Sequence, residues 1–308
     1  VGGTTTIAAG GQTVTLSAAG NDFGGAVSVS ARDLTLRDAS ALVMGTSTLA
    51  GNATLTAGGS VTQTGAMQVT GTTAVNAAGQ DITLNQGGND FGGALTLAGK
   101  DVSLRDQSAL VLGPSAISGA LSVQSGGPLS QTGALTVAGT TTLSSAGQDI
   151  TLDNAGNDFG GAVGATGRHI SLRDATAVVL GIGTVSGNAS VAAGGPITQT
   201  GALTVSGATA VNAAGQNITL DNAANDFGGA LSVNGRDVSL RDATALSLGS
   251  STITGAATLA VGGALTQTGA LTVNGNTTLN AAGQTVTLDN ATNDFTGTVA
   301  VTAKDLAL

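Results

Sequence analysis

One histidine and a scatter of aspartates carry whatever chemistry this chain could do. The same interval separates Asp149 from His169, Asp153 from Arg173, and Asp221 from Arg241. A His–Asp pair is part of a nucleophile-activating site, but no nucleophile or metal cluster accompanies this one. No catalytic residue is assigned. The segment LDNAGNDFGG brings Asp153, Asn154, Asn157 and Asp158 close together in the chain. Calcium favours such oxygen ligands. The nonapeptide of calcium-binding β-rolls is missing, and Asn/Asp-Gly clusters ordinarily form corners. Neither metal nor cofactor is expected, and this loop is the one calcium candidate.

The elements that position these residues come from a repeat. Asn-Asp-Phe begins at Asn21, Asn89, Asn157, Asn225 and Asn293, always 68 residues apart. Whole copies span 25–92, 93–160, 161–228 and 229–296, with partial copies at 1–24 and 297–308. The unbroken repeat reads as one continuous body over 1–308, an excerpt of a longer array in which each copy touches its neighbours. Charged residues make up 9% of the chain, against about 25% in an average domain. Hydrophobic residues at regular positions make up 41%, enough to offset the entropy of ordering a Gly-rich chain. A net charge of −9 argues against nucleic acid and anionic membrane as partners. No apolar run reaches the roughly 18 residues of a membrane span. Zero Cys excludes disulfides.

Within the copy 93–160, short alternating runs are separated by Gly, Asn or Asp, as strands of about three to five residues would be. The copy divides into segments at 93–118, 119–138 and 139–160. That spacing predicts an all-β parallel β-helix: three short strands per coil, three coils per repeat and about 13–14 coils. At about 4.8 Å per coil it makes a rod about 60–65 Å long. In this register Asp153 faces Arg173, Asp221 faces Arg241 and Asp149 faces His169. Surface ion pairs of this kind are worth about 0–1 kcal/mol, so these are structural pairs, with His169 accommodating Asp149. Asp81 faces Asp101, a like-charge contact expected to raise one carboxyl pKa. Phe23, Phe91, Phe159, Phe227 and Phe295 mark the core at a widened corner. Ser103, Ser130, Thr151 and Ser171 begin an outward hydroxyl column. It lacks the second Thr rank of an ice-binding face and reads as ordinary exposed strand.

The runs GALTVSG, AAGQNITLDNAANDFGGALSV and GRDVSLRDATALSLG in 201–249 resemble the haemagglutinin-type repeats of filamentous haemagglutinin-like adhesins, bacterial exoproteins exported by two-partner secretion. The resemblance covers the whole chain. It implies a right-handed coil and an extracellular or cell-surface location. It also implies a structural shaft whose partners are the flanking repeats of the same parent chain. Direct adhesion to a host or sibling surface, and self-association into filaments, are the alternatives. An enzyme is not expected: nearly every Asp and Arg recurs with the unit, Trp and Tyr are absent, and no long loop builds a cleft.

Overall fold

The computed structural model describes residues 1–77 and 79–308. Among these there are strands, turns and bends and no helix. Every pairing with a described register is parallel, with partners one coil away, as in Leu34–Asp38 against Ala53–Ala57. Strands this short persist because the coils above and below satisfy both edges. The alternation predicted from sequence is present: Leu34, Leu36 and Asp38 point inward, and Thr35 and Arg37 point out. The chain is a parallel β-solenoid.

Two compact units make up the chain, Val1–Gly161 and Ala162–Leu308. In the first, Leu34, Ala53, Thr73, Leu95 and Leu112 stack in one column. Val102 is the repeat equivalent of Leu34, yet it stacks between Ile82 and Leu121, in a different column. The second unit behaves alike. Ile170, Ala189, Thr209, Leu231 and Leu248 share a column, while Val238, the equivalent of Ile170, lies between Ile218 and Ala257.

The cause is the strand count. Each of the copies 25–92 and 93–160 contains ten strands. With three strands to a coil, a repeat is three coils plus one further side. Segment 93–118, one coil by the sequence reading, holds four strands: Leu95–Gly99, Val102–Asp106, Leu110–Leu112 and Ser115–Ile117. The last already begins the next coil, because Ala116 and Ile117 sit against Ala98 and Gly99. The chain therefore makes about 15 coils, rather than the 13–14 expected. The hydroxyl column is corrected for the same reason: Ser103 stacks on Ser122, and Ser130 on Val111.

Inside lie Val, Leu and Ile from every coil, each contributing roughly 1.5–3 kcal/mol on burial. Phe23, Phe91, Phe159 and Phe227 are buried there too, and Phe295 is half-buried. Within the first unit Phe91 lies against Val69 and Phe159 against Val137, in different columns. Close passage of backbone fixes the corner glycines. A Cβ on Gly93 would lie 2.5 Å from the Gly71 carbonyl oxygen, which accepts the Gly93 N–H at 3.0 Å.

Candidate functional site

The recurring polar residues of the repeat are mostly spent on corners. Asn89 is fully buried. Gln63 Nε2 donates to Asn89 Oδ1 (2.8 Å), and Asn89 Nδ2 donates back to Gln63 Oε1 (2.8 Å). Met67 N also donates to Asn89 Oδ1, and Asn89 Nδ2 also donates to the Leu84 carbonyl. The same reciprocal pair recurs as Gln131–Asn157, Gln199–Asn225 and Gln267–Asn293. A buried amide with its donors and acceptor occupied has no capacity left for a ligand. The Asn of the sequence marker and the Gln that precedes it at a constant interval are thus one device. Their fixed spacing was the available signal, but only the fold shows that they touch.

The acid after each LR pair is a second such device. Asp38, Asp106, Asp174 and Asp242 are all buried. Asp106 Oδ2 accepts the Phe91 N–H (2.7 Å), and Oδ1 accepts from Ser108 N (2.7 Å) and Ser108 Oγ (3.1 Å). Burial pushes the Asp106 carboxyl above the ordinary carboxylate range, and the hydrogen bonds oppose it. The charge pairs expected from the sequence use Arg173 and Arg241 of this motif and give no role to the acid that follows. The clue was a Ser or Thr two positions on in every copy, at Ser40, Ser108, Thr176 and Thr244, the pattern of a side chain closing its own turn.

The third device caps the next coil. Asp33 Oδ1 accepts Asn52 N (2.9 Å), Asp101 Oδ1 accepts Ala120 N (2.7 Å) and Asp237 Oδ1 accepts Ala256 N (3.0 Å). At the equivalent position His169 Nδ1 accepts Asn188 N (2.9 Å). The imidazole thus stands in for a carboxylate as the acceptor at this corner. The Ala120 N–H, and after it the Lys100 ammonium, hold the Asp101 carboxyl below its usual range. The expected rise from Asp81 does not occur at Asp101. Instead Asp81 Oδ1 accepts the Asp101 N–H at 3.3 Å.

The predicted charge pairs fare unequally. Asp221 and Arg241 follow the Leu220–Leu240 step, but both are exposed and no ion pair joins them. Ion pairs join chain neighbours instead: Arg32–Asp33 (2.7 Å), Lys100–Asp101 (3.3 Å), Arg236–Asp237 (3.2 Å) and Lys304–Asp305 (3.8 Å). Asp149 and Asp153 belong to the first unit and His169 and Arg173 to the second, so those two pairs stay expectations of the sequence.

In the calcium candidate, Asp153 is exposed and Asp158 half-buried. Asn154 Oδ1 accepts Gly156 N. Asn157 is fully buried, its Oδ1 taken by Gln131 and Leu135 N. That oxygen is committed to the corner, and among the described residues no group of three or more His, Cys, Asp or Glu could hold a metal.

An open groove of about 580 Å³ in the first unit has Ser30, Thr48, Gln68 and Asp90 along its floor, stacked in register. It offers hydroxyl, amide and carboxylate groups for weak polar contact. A model described as repeats of unknown function (DUF5649) matches the sequence five times, at residues 1–30, 31–98, 99–166, 167–234 and 235–302. No curated protein and no solved structure matches it.

Proposed function

Because the chain belongs to the family of repeats of unknown function (DUF5649), we propose that its role lies in the repeat itself: a structural, non-enzymatic shaft segment. The carrying observation is the rotation of the repeat within each unit. Leu34 and its equivalent Val102 stand in different columns, and the outward residues beside them move likewise. A long face built of identical side chains would need equivalents to stay in one column. What the repeat preserves instead is the inward machinery, the Gln–Asn pairs and the buried Asp. Selection for a coil that stacks accounts for that better than selection for a ligand.

The resemblance to two-partner secretion adhesins supports placing the shaft outside a bacterial cell, with the flanking repeats of its parent chain as partners. Direct adhesion is the second reading, favoured by the polar groove over Ser30, Thr48, Gln68 and Asp90. Sedimentation together with a glycan array on the full chain separates the readings. A shaft stays monomeric and binds nothing. Binding whose avidity grows with repeat number would replace it with an adhesin, and sedimenting fibres would replace it with a filament subunit.

A further inference from the structure

One corner breaks the pattern of its equivalents. At Gly113–Pro114–Ser115 the Ser hydroxyl points inward, accepts Leu97 N (3.0 Å) and donates to the Gly113 carbonyl (3.0 Å). Ser47 and Ser251 do the same for Val29 and Val233. In the third whole repeat the corner reads Gly181–Ile182–Gly183. Gly183 has no hydroxyl to give. Leu97 is replaced by Ala165 and Thr96 by Gly164. Beneath the corner lies an apolar cavity of about 40 Å³, lined among others by Ala165, Leu180, Gly183, Val185 and Phe227. Above it Ile182 is 76% exposed, where the other repeats have Thr46, Pro114 and Ser250.

We infer that this corner has two positions, and that Ile182 is a plug that moves between the surface and the cavity. Inward residues along Val178–Val185 are Val178, Leu180, Gly183 and Val185, with Gly181–Ile182 as the corner. Moving the corner to Gly183–Thr184 gives Val178, Leu180, Ile182 and Val185. Val185 stays in place, so the rest of the coil keeps its register. A one-residue change of phase is what turns a side chain from one face of a sheet to the other. Glycines on both sides of Ile182 remove the Cβ clashes that would oppose the change. One water-sized group takes about 10–15 Å³, so the cavity already has room for about three of them, and Gly183 leaving the interior adds to it. In the other repeats the inward Ser holds the corner in one position, and beneath the Ser251 corner the equivalent cavity is about 20 Å³, half the size. The third repeat thus carries a place where the solenoid can shift without unfolding.

The test is methyl NMR of the full chain, labelled at the Ile δ1 positions, with relaxation dispersion in the microsecond-to-millisecond range. The Ile182 methyl should exchange between two states, the minor one shifted upfield by the Phe227 ring. Ala165→Leu fills the space, and Gly183→Ser restores the inward hydroxyl; each should abolish the exchange. A new Cβ at Gly183 would meet its closest neighbour, the Ala165 carbonyl oxygen, at 3.3 Å, so this variant remains decisive if Ala165→Leu fails to fold. A single solvent-exposed state in the wild type, or exchange that survives Gly183→Ser, overturns the proposal.

Discussion

The corner at 113–115 and the corner at 181–183 occupy the same place in two copies of one repeat, yet only the first is stapled. Ser115 ties the corner to Leu97 N and the Gly113 carbonyl; Gly183 cannot. The comparison separates two things that a repeat sequence merges. Apolar alternation makes a coil, as it does in both copies. Which residue of a corner faces inward is decided by one buried polar contact, and the cavity beneath is larger where that contact is missing, about 40 Å³ against about 20 Å³ under Ser251.

The largest effect should leave the comparison untouched. Asn89→Ala and Asn225→Ala each strand a half-buried Gln amide and a backbone N–H, and each should cost about 2–4 kcal/mol. Both copies carry the same Gln–Asn geometry. Urea melts read by hydrogen exchange in the affected copy should therefore give equal losses. A much smaller loss for Asn225→Ala would mean that the third repeat is loose throughout, not only at its corner.

Next, Ser115→Ala should cost about 1–3 kcal/mol by leaving the buried Leu97 N–H without its acceptor. The same exchange assay should show the amides of 113 and 115–117 becoming as labile as those of 181 and 183–185. Ala165→Val, which copies Val29 and Val233, should stabilise by about 1 kcal/mol through cavity filling. Its thermal melt should rise, whereas Val29→Ala should produce the reverse.

The subtlest prediction concerns pH. The Asp106 carboxyl is raised by burial in the folded chain. Its contribution to stability is therefore fully present below the ordinary carboxylate pKa and is lost as pH rises through the raised value. Relative to Asp106→Asn, the wild type should gain stability as pH is lowered from neutral toward the ordinary carboxylate range. A difference that stays constant with pH would show that the carboxyl is not raised.

Much of this was legible in the sequence because stacking obeys simple spacing. The equal steps from Ile82 to Val102 and from Ile218 to Val238 follow from matching apolar runs. The coil count did not follow. Gly113–Pro114 turns the chain too tightly for composition to show that Leu112 and Ala116, in two separate strands, both lie over the strand Leu95–Gly99. The role of Asp106 and the burial of Asn157 did not follow for another reason. Polar residues are expected outside, and only the fold brings them the backbone N–H groups that make burial tolerable.

A repeat of ten strands moves its equivalents to a new column, and a pair of engineered disulfides tests that directly. The chain has no native cysteine. Ser103 and Ser122 are partners on adjacent coils, about 4.8 Å apart and within the reach of a disulfide. Ser130 belongs to another column, against Val111. Mild oxidation should close Ser103→Cys/Ser122→Cys and leave Ser103→Cys/Ser130→Cys reduced. Closure of the second pair and not the first would restore the three-coil repeat and contradict the structure.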